Sequence, residues 1–298
     1  MKKSPSAPDF SQWTAPAQSG QTLKPGLYIV ATPIGNLRDI TLRALDVLAA
    51  AACVYCEDTR VTQKLLDAYG LKKKLVRCDA HTEKTRATDI AAEVAGGSIV
   101  ALTSDAGTPC ISDPGSALVA ECRAKGIEVF PIPGPNAAMA ALSASGLTHG
   151  AFSFIGFLPP RQAARRQALH PWKHIPSILV VYESANRVAA LLQDIEAVLG
   201  PRALVIGREL TKRFERFYHG TPRDLLPHIG EANFKGEVVL LIAPEGKGDA
   251  FAGDEWEDSL QQALSDHSLR EAVALITAQT GLPRKTVYAK ALLMGKKN

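Results

Sequence analysis

The stretch SDAGTPCISDPGSA, residues 104–117, decides how this chain is read. An apolar run precedes it and a helical pattern follows it. It holds two aspartates, two glycines and two prolines. A connection between a strand and a helix needs only about 2–6 residues. The surplus implies a purpose beyond reversing the chain.

Two more loops of the same make occur nearby. ATPIGNLRD (31–39) follows the apolar run GLYIVA (26–31), and PIPGPNA (131–137) follows a run at 127–131. Further strands are predicted at 52–56, 75–78 and 98–103, with helices at 41–51, 59–69, 86–95, 115–125 and 135–145. This alternation predicts a largely parallel α/β sheet covered on both faces. Ligands bind such sheets at the carboxyl ends of the strands, where all three loops fall. Glycine lets backbone approach a ligand and proline stiffens the loop. A helix opening at Pro135 or Asn136 offers free N–H groups to an anion such as a carboxylate. Any one of these loops is equally readable as a tight turn. Three on one edge argue for a site. EDTR (57–60) ends another strand on that edge. Asp58 or Thr59 suits an N-cap there, and a substrate or catalytic role stays open.

A second unit is predicted from about residue 151, with strands at 153–156, 178–182, 203–207 and 237–243 and helices at 184–199 and 222–229. FERFYHG (214–220) reads as an edge strand, and mixed pairing is expected. PEGKGD (244–249) reads as a linker. Residues 255–295 are helical in pattern, with helix–turn–helix spacing over 274–288. There Leu275 and Ile276 pack one helix, Gly281 turns the chain, and Leu282, Val287 and Leu292 pack the next. Residues 1–24, rich in Ser, Pro, Gln, Ala and Thr, read as a disordered tail. The expected domains are therefore 25–150, 151–246 and a helical module at 255–298. A length of 298 residues fits two principal domains.

The net charge of +4 neither demands nor excludes a polyanionic partner. Five cysteines, an odd number, do not make a disulfide framework and fit a reduced compartment. No apolar segment follows Met-Lys-Lys at the start, and no apolar run nears the ~20 residues of a membrane span. A cytoplasmic location is expected. G-x-G-x-x-G, G-x-x-x-x-G-K-[ST] and G-x-S-x-G motifs are missing. Cys53 and Cys56 have C-x-x-C spacing but sit in an apolar strand, where buried thiols are the simpler reading. His81, Glu83 and Cys110 approach a zinc-deaminase pattern, but its last ligand position is Asp113. No metal is predicted.

Taken in order, YIVATPIGNLRDITLRAL (28–45), EDTR (57–60), SDAGTP (104–109), SDPG (112–115), PGPNA (133–137), GFLP (156–159), YES (182–184), RELTK (208–212) and KGE (235–237) resemble one family. It is the ribosomal RNA small subunit methyltransferase I family of the tetrapyrrole-methylase superfamily. The resemblance implies two α/β domains with S-adenosylmethionine folded in the cleft between them. It implies methylation of a cytidine ribose 2′-hydroxyl in 16S rRNA of the small ribosomal subunit, and a homodimer. Carried over, Asp105, Gly107, Thr108 and Pro109 face the methionine end of the cofactor. Ile34, Asn136 and Ala137 line the cleft, and Tyr182, Leu210 and Ala243 flank the adenosine.

In that reading Asp105 to Pro109 form a cofactor wall, and Asp113 then caps the next helix with Pro114 at its first position. A general base would help a protonated hydroxyl react. Glu57, Asp58 and Glu209 are the candidates, with no choice among them. Arg38, Arg60, Arg187 and Lys212 are candidate RNA-phosphate contacts. The C-terminal module, with Arg284 and Lys285, is a candidate RNA-binding element. Two alternatives remain at this level: methylation of a tetrapyrrole precursor, and a non-catalytic nucleic-acid-binding regulator.

Overall fold

The computed structural model describes residues 23–80, 82–148, 150–230, 234–245, 255–280 and 284–295. The expected tail up to residue 22, His81, most of the expected linker, and Gly281 with Leu282 lie outside the described residues. The chain divides into two compact units, residues 1–137 and 138–298.

The first unit alternates β1 (Gly26–Val30), α1 (Leu42–Ala50), β2 (Cys53–Cys56), α2 (Thr59–Ala68), β3 (Lys74–Arg77), α3 (Glu83–Ala95), β4 (Ile99–Thr103), α4 (Ser116–Ala124) and β5 (Val129–Ile132). The strands lie in the order β3-β2-β4-β1-β5, every neighbouring pair parallel. Successive side chains in a strand point to opposite faces. Leu27, Tyr55 and Leu102 pack with Ile90, Leu118 and Cys122 of α3 and α4. Val30, Val54 and Ala101 pack with Val47, Leu48 and Leu66 of α1 and α2 on the other face. Burial on both sides explains why these strands are continuous apolar runs.

Cys53 and Cys56 are buried free thiols of β2. Cys53 donates to Glu93 Oε2 at 2.7 Å, and burial, reinforced by Glu93, pushes its thiol up to about 12.

Helix α4 corrects one expectation. Its N-cap is Gly115, at φ +127°, not Asp113. The Gly115 N–H donates to Glu83 Oε2 at 2.7 Å. A Cβ there would lie 2.8 Å from Cys110 Sγ. Backbone conformation and space therefore both select glycine. Asp113 is half-buried and receives the Ser104 hydroxyl instead.

The division between units falls inside α5 (Ala137–Ala144). The second unit continues with β6 (Phe152–Phe157), α6 (Gln162–Leu169), β7 (Ile178–Ser184), α7 (Ala185–Leu199), β8 (Leu204–Arg208), β9 (Arg216–Gly220), α8 (Pro222–Ile229) and β10 (Glu237–Ile242). The sheet order is β6-β7-β10-β8-β9. Only β6 and β7 pair in parallel, and β9 is the expected edge strand. Leu179, Val181, Ile206 and Leu240 pack beneath Val188, Leu192 and Ile195 of α7. Helix α6 lies outside the elements that the sequence pattern predicts. Its Arg165 is 4% exposed and binds the fully buried Asp194 of α7.

The C-terminal helices are α9 (Glu255–Asp266), α10 (Leu269–Thr280) and α11 (Arg284–Gly295). Leu260, Val273, Ile276, Val287 and Ala291 form their own core. Leu275 and Leu292, expected inside, are exposed. Val273 and Ile276, then Val287 and Ala291, stand three or four residues apart and share a face. Leu275 and Leu292 are each one residue, about 100°, off that stripe. Among the described residues no helix is long and apolar enough to cross a membrane.

Candidate cofactor and substrate site

At the carboxyl edge of the first unit's sheet the three loops interlock. Thr32 N–H donates to the Gly107 carbonyl at 2.8 Å, and Gly107 N–H returns to the Thr32 carbonyl at 3.0 Å. Thr32 Oγ1 also donates to the Ser104 carbonyl at 3.1 Å. This bridge runs antiparallel in an otherwise parallel sheet. Thr108 Oγ1 donates to the Pro135 carbonyl at 3.1 Å, and Asn136 Nδ2 donates to Thr108 Oγ1 at 3.3 Å. The first and third loops meet where a Cβ on Gly134 would lie 2.9 Å from Ala31 Cβ. Gly107 holds φ +82°, with Ile34 Cγ2 3.5 Å from where its Cβ would stand. Ile34, Gly107, Thr108, Pro109, Asn136 and Ala137 are thus brought together. Cys110, at φ +70°, adds a left-handed residue that the sequence does not announce.

The other half of the edge is acidic. Asp58 caps α2 through the Arg60 N–H at 2.8 Å and pairs with the Arg60 guanidinium. These contacts hold its carboxyl down to about 2. Asp58 N–H donates to Asp105 Oδ1 at 3.0 Å, tying the end of β2 to the second loop. Burial pushes the neighbouring Glu57 carboxyl up, and Asp105, Asp113, Asp79 and Asp58 push the same way. Burial raises Asp105 too, against the Asp58 N–H.

The sign of the Glu57 effect gives a prediction. Its folded pKa stands above its unfolded value of about 4.3. The stability it contributes is complete below that value and is lost as pH rises through the folded pKa. Glu57→Gln should raise the melting temperature at pH 7 by about 1–2 °C, a small figure because solvent screens the repulsions. It should also flatten the decline in stability that sets in as pH rises above about 4.3. Asp58, titrating near 2, does not enter that window. Calorimetry across this range tests it, and a variant as pH-sensitive as the parent would contradict it.

In the second unit Tyr182 OH accepts the Ala138 N–H at 3.0 Å. Leu210 is buried just past β8, 3.1 Å from where a Gly207 Cβ would stand. Register puts Tyr182 opposite Val239 and Val239 opposite Gly207, so Tyr182 and Leu210 share one end of the sheet. Ala243 pairs with Ala203 at the other end, roughly 13 Å along the strands.

Burial raises the Glu209 carboxyl, but the Lys212 ammonium at 3.0 Å and the Glu237 N–H at 3.1 Å outweigh it and hold it below its ordinary value. Lys212 bridges Glu209 and Glu237. Arg187 is engaged internally, donating to the Leu158 carbonyl at 2.9 Å and pairing with the buried Glu183. Arg38, Arg60, Arg284 and Lys285 are exposed.

A family model described as Tetrapyrrole (Corrin/Porphyrin) Methylases matches residues 26–226. A second, described as RsmI C-terminal HTH domain, matches residues 250–295. A protein of Mesorhizobium japonicum named ribosomal RNA small subunit methyltransferase I is 45% identical, over 91% of this chain and 92% of its own. One of the same name from Escherichia coli O157:H7 is 42% identical, over 92% of this chain and 97% of its own. Among solved structures, uroporphyrin-III-C-methyltransferase from Thermus thermophilus is similar at a TM-score of 0.53 and 23% identity, over 73% of this chain and 93% of that one. Diphthine synthase is similar at a TM-score of 0.57 and 16% identity, over 73% and 89%. These two structures bear on the fold.

Proposed function

The chain belongs to the tetrapyrrole methylases and, within them, to the ribosomal RNA small subunit methyltransferase I family, and from that premise we propose that it transfers a methyl group from S-adenosylmethionine to a cytidine ribose 2′-hydroxyl of 16S rRNA in the small ribosomal subunit. The observation that carries this reading is the interlocked edge of the first unit. It joins Asp105–Pro109 to the loops of Ile34 and Asn136 by hydrogen bonds.

The residues present fit the cofactor. Gly107 leaves a main-chain surface that a side chain would fill, and Asp105 offers an exposed carboxylate to an ammonium or hydroxyl group. Ile34 and Pro109 supply apolar wall. Asn136, Ala137, Tyr182 and Leu210 complete the proposed binding set. As a sulfonium, the cofactor brings its own methyl-donor reactivity. The protein's part is to hold nucleophile and methyl in line, and hydrogen-bonded loops stiffened by proline suit that work.

Of the three carboxylates considered as base, Glu57 has the environment for it. Asp58 is committed to its cap and to Arg60, and Glu209 to Lys212. Glu57 is raised toward the working pH, which favours proton acceptance in a transition state. Arg38, Arg60 and the first turn of α11, with Arg284 and Lys285, are the proposed phosphate contacts. The protein would act as a cytoplasmic homodimer.

The test supplies labelled S-adenosylmethionine with unmodified small subunits, free 16S rRNA or a tetrapyrrole precursor, and digests the RNA to nucleosides. Labelled 2′-O-methylcytidine is expected. Label in the tetrapyrrole and none in RNA would overturn the reading.

A further inference from the structure

The turn between β8 and β9 combines features that folding alone does not require. Arg213, Phe214, Glu215 and Arg216 are consecutive and all exposed. Phe214 leaves 64% of its surface in solvent, so its ring fills no core. The Arg213 guanidinium lies 5.5 Å from the centre of that ring, and the Arg216 guanidinium lies 4.9 Å from the Tyr218 ring. Neither arginine has a carboxylate partner among the described residues.

The turn is also held rigid. Glu209 and Thr211 adopt left-handed backbone, at φ +52° and +64°. Lys212 ties Glu209 to Glu237, and the Thr211 N–H donates to Glu215 Oε2 at 2.6 Å. That contact occupies the one acidic side chain between the arginines. An ordinary solvated turn would place Gly or Asn at left-handed positions. Strain retained at an exposed aromatic marks a place where position matters.

We propose that this turn is a contact for single-stranded RNA, in which an unpaired base stacks on Phe214 and the flanking phosphates lie against Arg213 and Arg216. The proposal rests on the RNA-methyltransferase reading and adds the strand state of the substrate at this point. An aromatic face between cations is the combination that holds single strands without reading their sequence. A duplex keeps its base faces inside the stack and offers none to Phe214. One ring is too little apolar area to seat a protein, whose specific interfaces bury more than roughly 1,000 Å².

The experiment uses the full-length protein and a fluorescein-labelled, unstructured RNA of about 15 nucleotides, with a duplex of equal length as comparison. Fluorescence anisotropy gives the dissociation constants. Phe214→Ala should weaken single-strand binding about 5–100-fold and leave duplex binding unchanged. Phe214→Trp should retain affinity and show quenching of its indole on binding. Replacing both Arg213 and Arg216 by Gln should reduce the salt dependence of binding by close to two phosphate contacts. In methylation of small subunits, Phe214→Ala should raise KM with kcat little changed.

Equal loss of single-strand and duplex binding, or no loss of either, overturns the stacking proposal. So does weakened binding to assembled subunits with unchanged binding to the oligonucleotide, which would mark a protein contact instead. If the parent protein methylates no RNA, the functional reading fails, and the oligonucleotide result still decides the contact on its own.

Discussion

Asp194→Ala should lower the melting temperature of the second unit by roughly 6–20 °C. Asp194 is fully buried between two arginines. Arg165 Nε donates to Oδ2 at 2.7 Å, and Arg166 Nε to Oδ1 at 2.6 Å. Arg165 is itself buried and spends a further donor on the Pro160 carbonyl at 3.1 Å. Removing the carboxylate leaves a buried guanidinium with one backbone acceptor. Breaking such a pair from one side costs about 3–5 kcal/mol, and each kcal/mol is worth about 2–4 °C in a unit of this size. Replacing the pair by Arg165→Leu with Asp194→Leu should recover much of the loss, because it removes both charges from the interior. Differential scanning calorimetry of the single and double variants decides the matter. A single variant that melts with the parent would show that the pair does not hold α6 to α7.

Gly107→Val should weaken S-adenosylmethionine binding about tenfold to a hundredfold. The expected loss does not arise from crowding, since the nearest atom to a new Cβ is at an ordinary 3.5 Å. It arises from the backbone. A β-branched residue at φ +82° is a genuine outlier, with a strain of about 1–3 kcal/mol. The strain cannot relax locally, because both main-chain groups of Gly107 are bonded to Thr32. Relaxation would break those bonds and release the second loop from the first. Isothermal titration with the cofactor measures the loss, and a thermal melt reports whether the fold survives. Unchanged affinity in a folded variant would remove Gly107 from the proposed cofactor wall.

What could be read from the sequence followed from what each element packs against. The strands of the first unit are apolar on both faces, and their alternation with helical segments specifies the parallel sheet. β9 is legible at the edge because FERFYHG mixes exposed and buried positions. α6 is not legible, for a physical reason: its buried positions are Arg165 and Leu169, so a charged side chain stands where a pattern reader looks for an aliphatic one. Leu275 and Leu292 mislead in the opposite sense. Each is apolar and adjacent to a buried residue, yet on the solvent side of its helix.

In the candidate site, composition and position brought the three loops to one edge. Their interlock is hidden because its central bridge joins main-chain atoms of Thr32 and Gly107, and the Thr32 and Thr108 hydroxyls close on the Ser104 and Pro135 carbonyls, acceptors that every residue carries. Asp113 shows the limit of capping rules. Aspartate before proline is a fair helix start, but the cap falls to Gly115, whose N–H donates to the carboxylate of Glu83, 32 residues earlier in the chain.

The Thr32–Gly107 bridge has a thermodynamic consequence. Loops that must be ordered by a ligand charge that ordering against affinity. Here the loops are fastened to one another by the chain's own groups, Thr32 to Gly107 and Thr108 to Pro135. Cofactor association at this edge should therefore show a heat-capacity change set by the apolar surface it covers, without the added decrement of a coupled folding event.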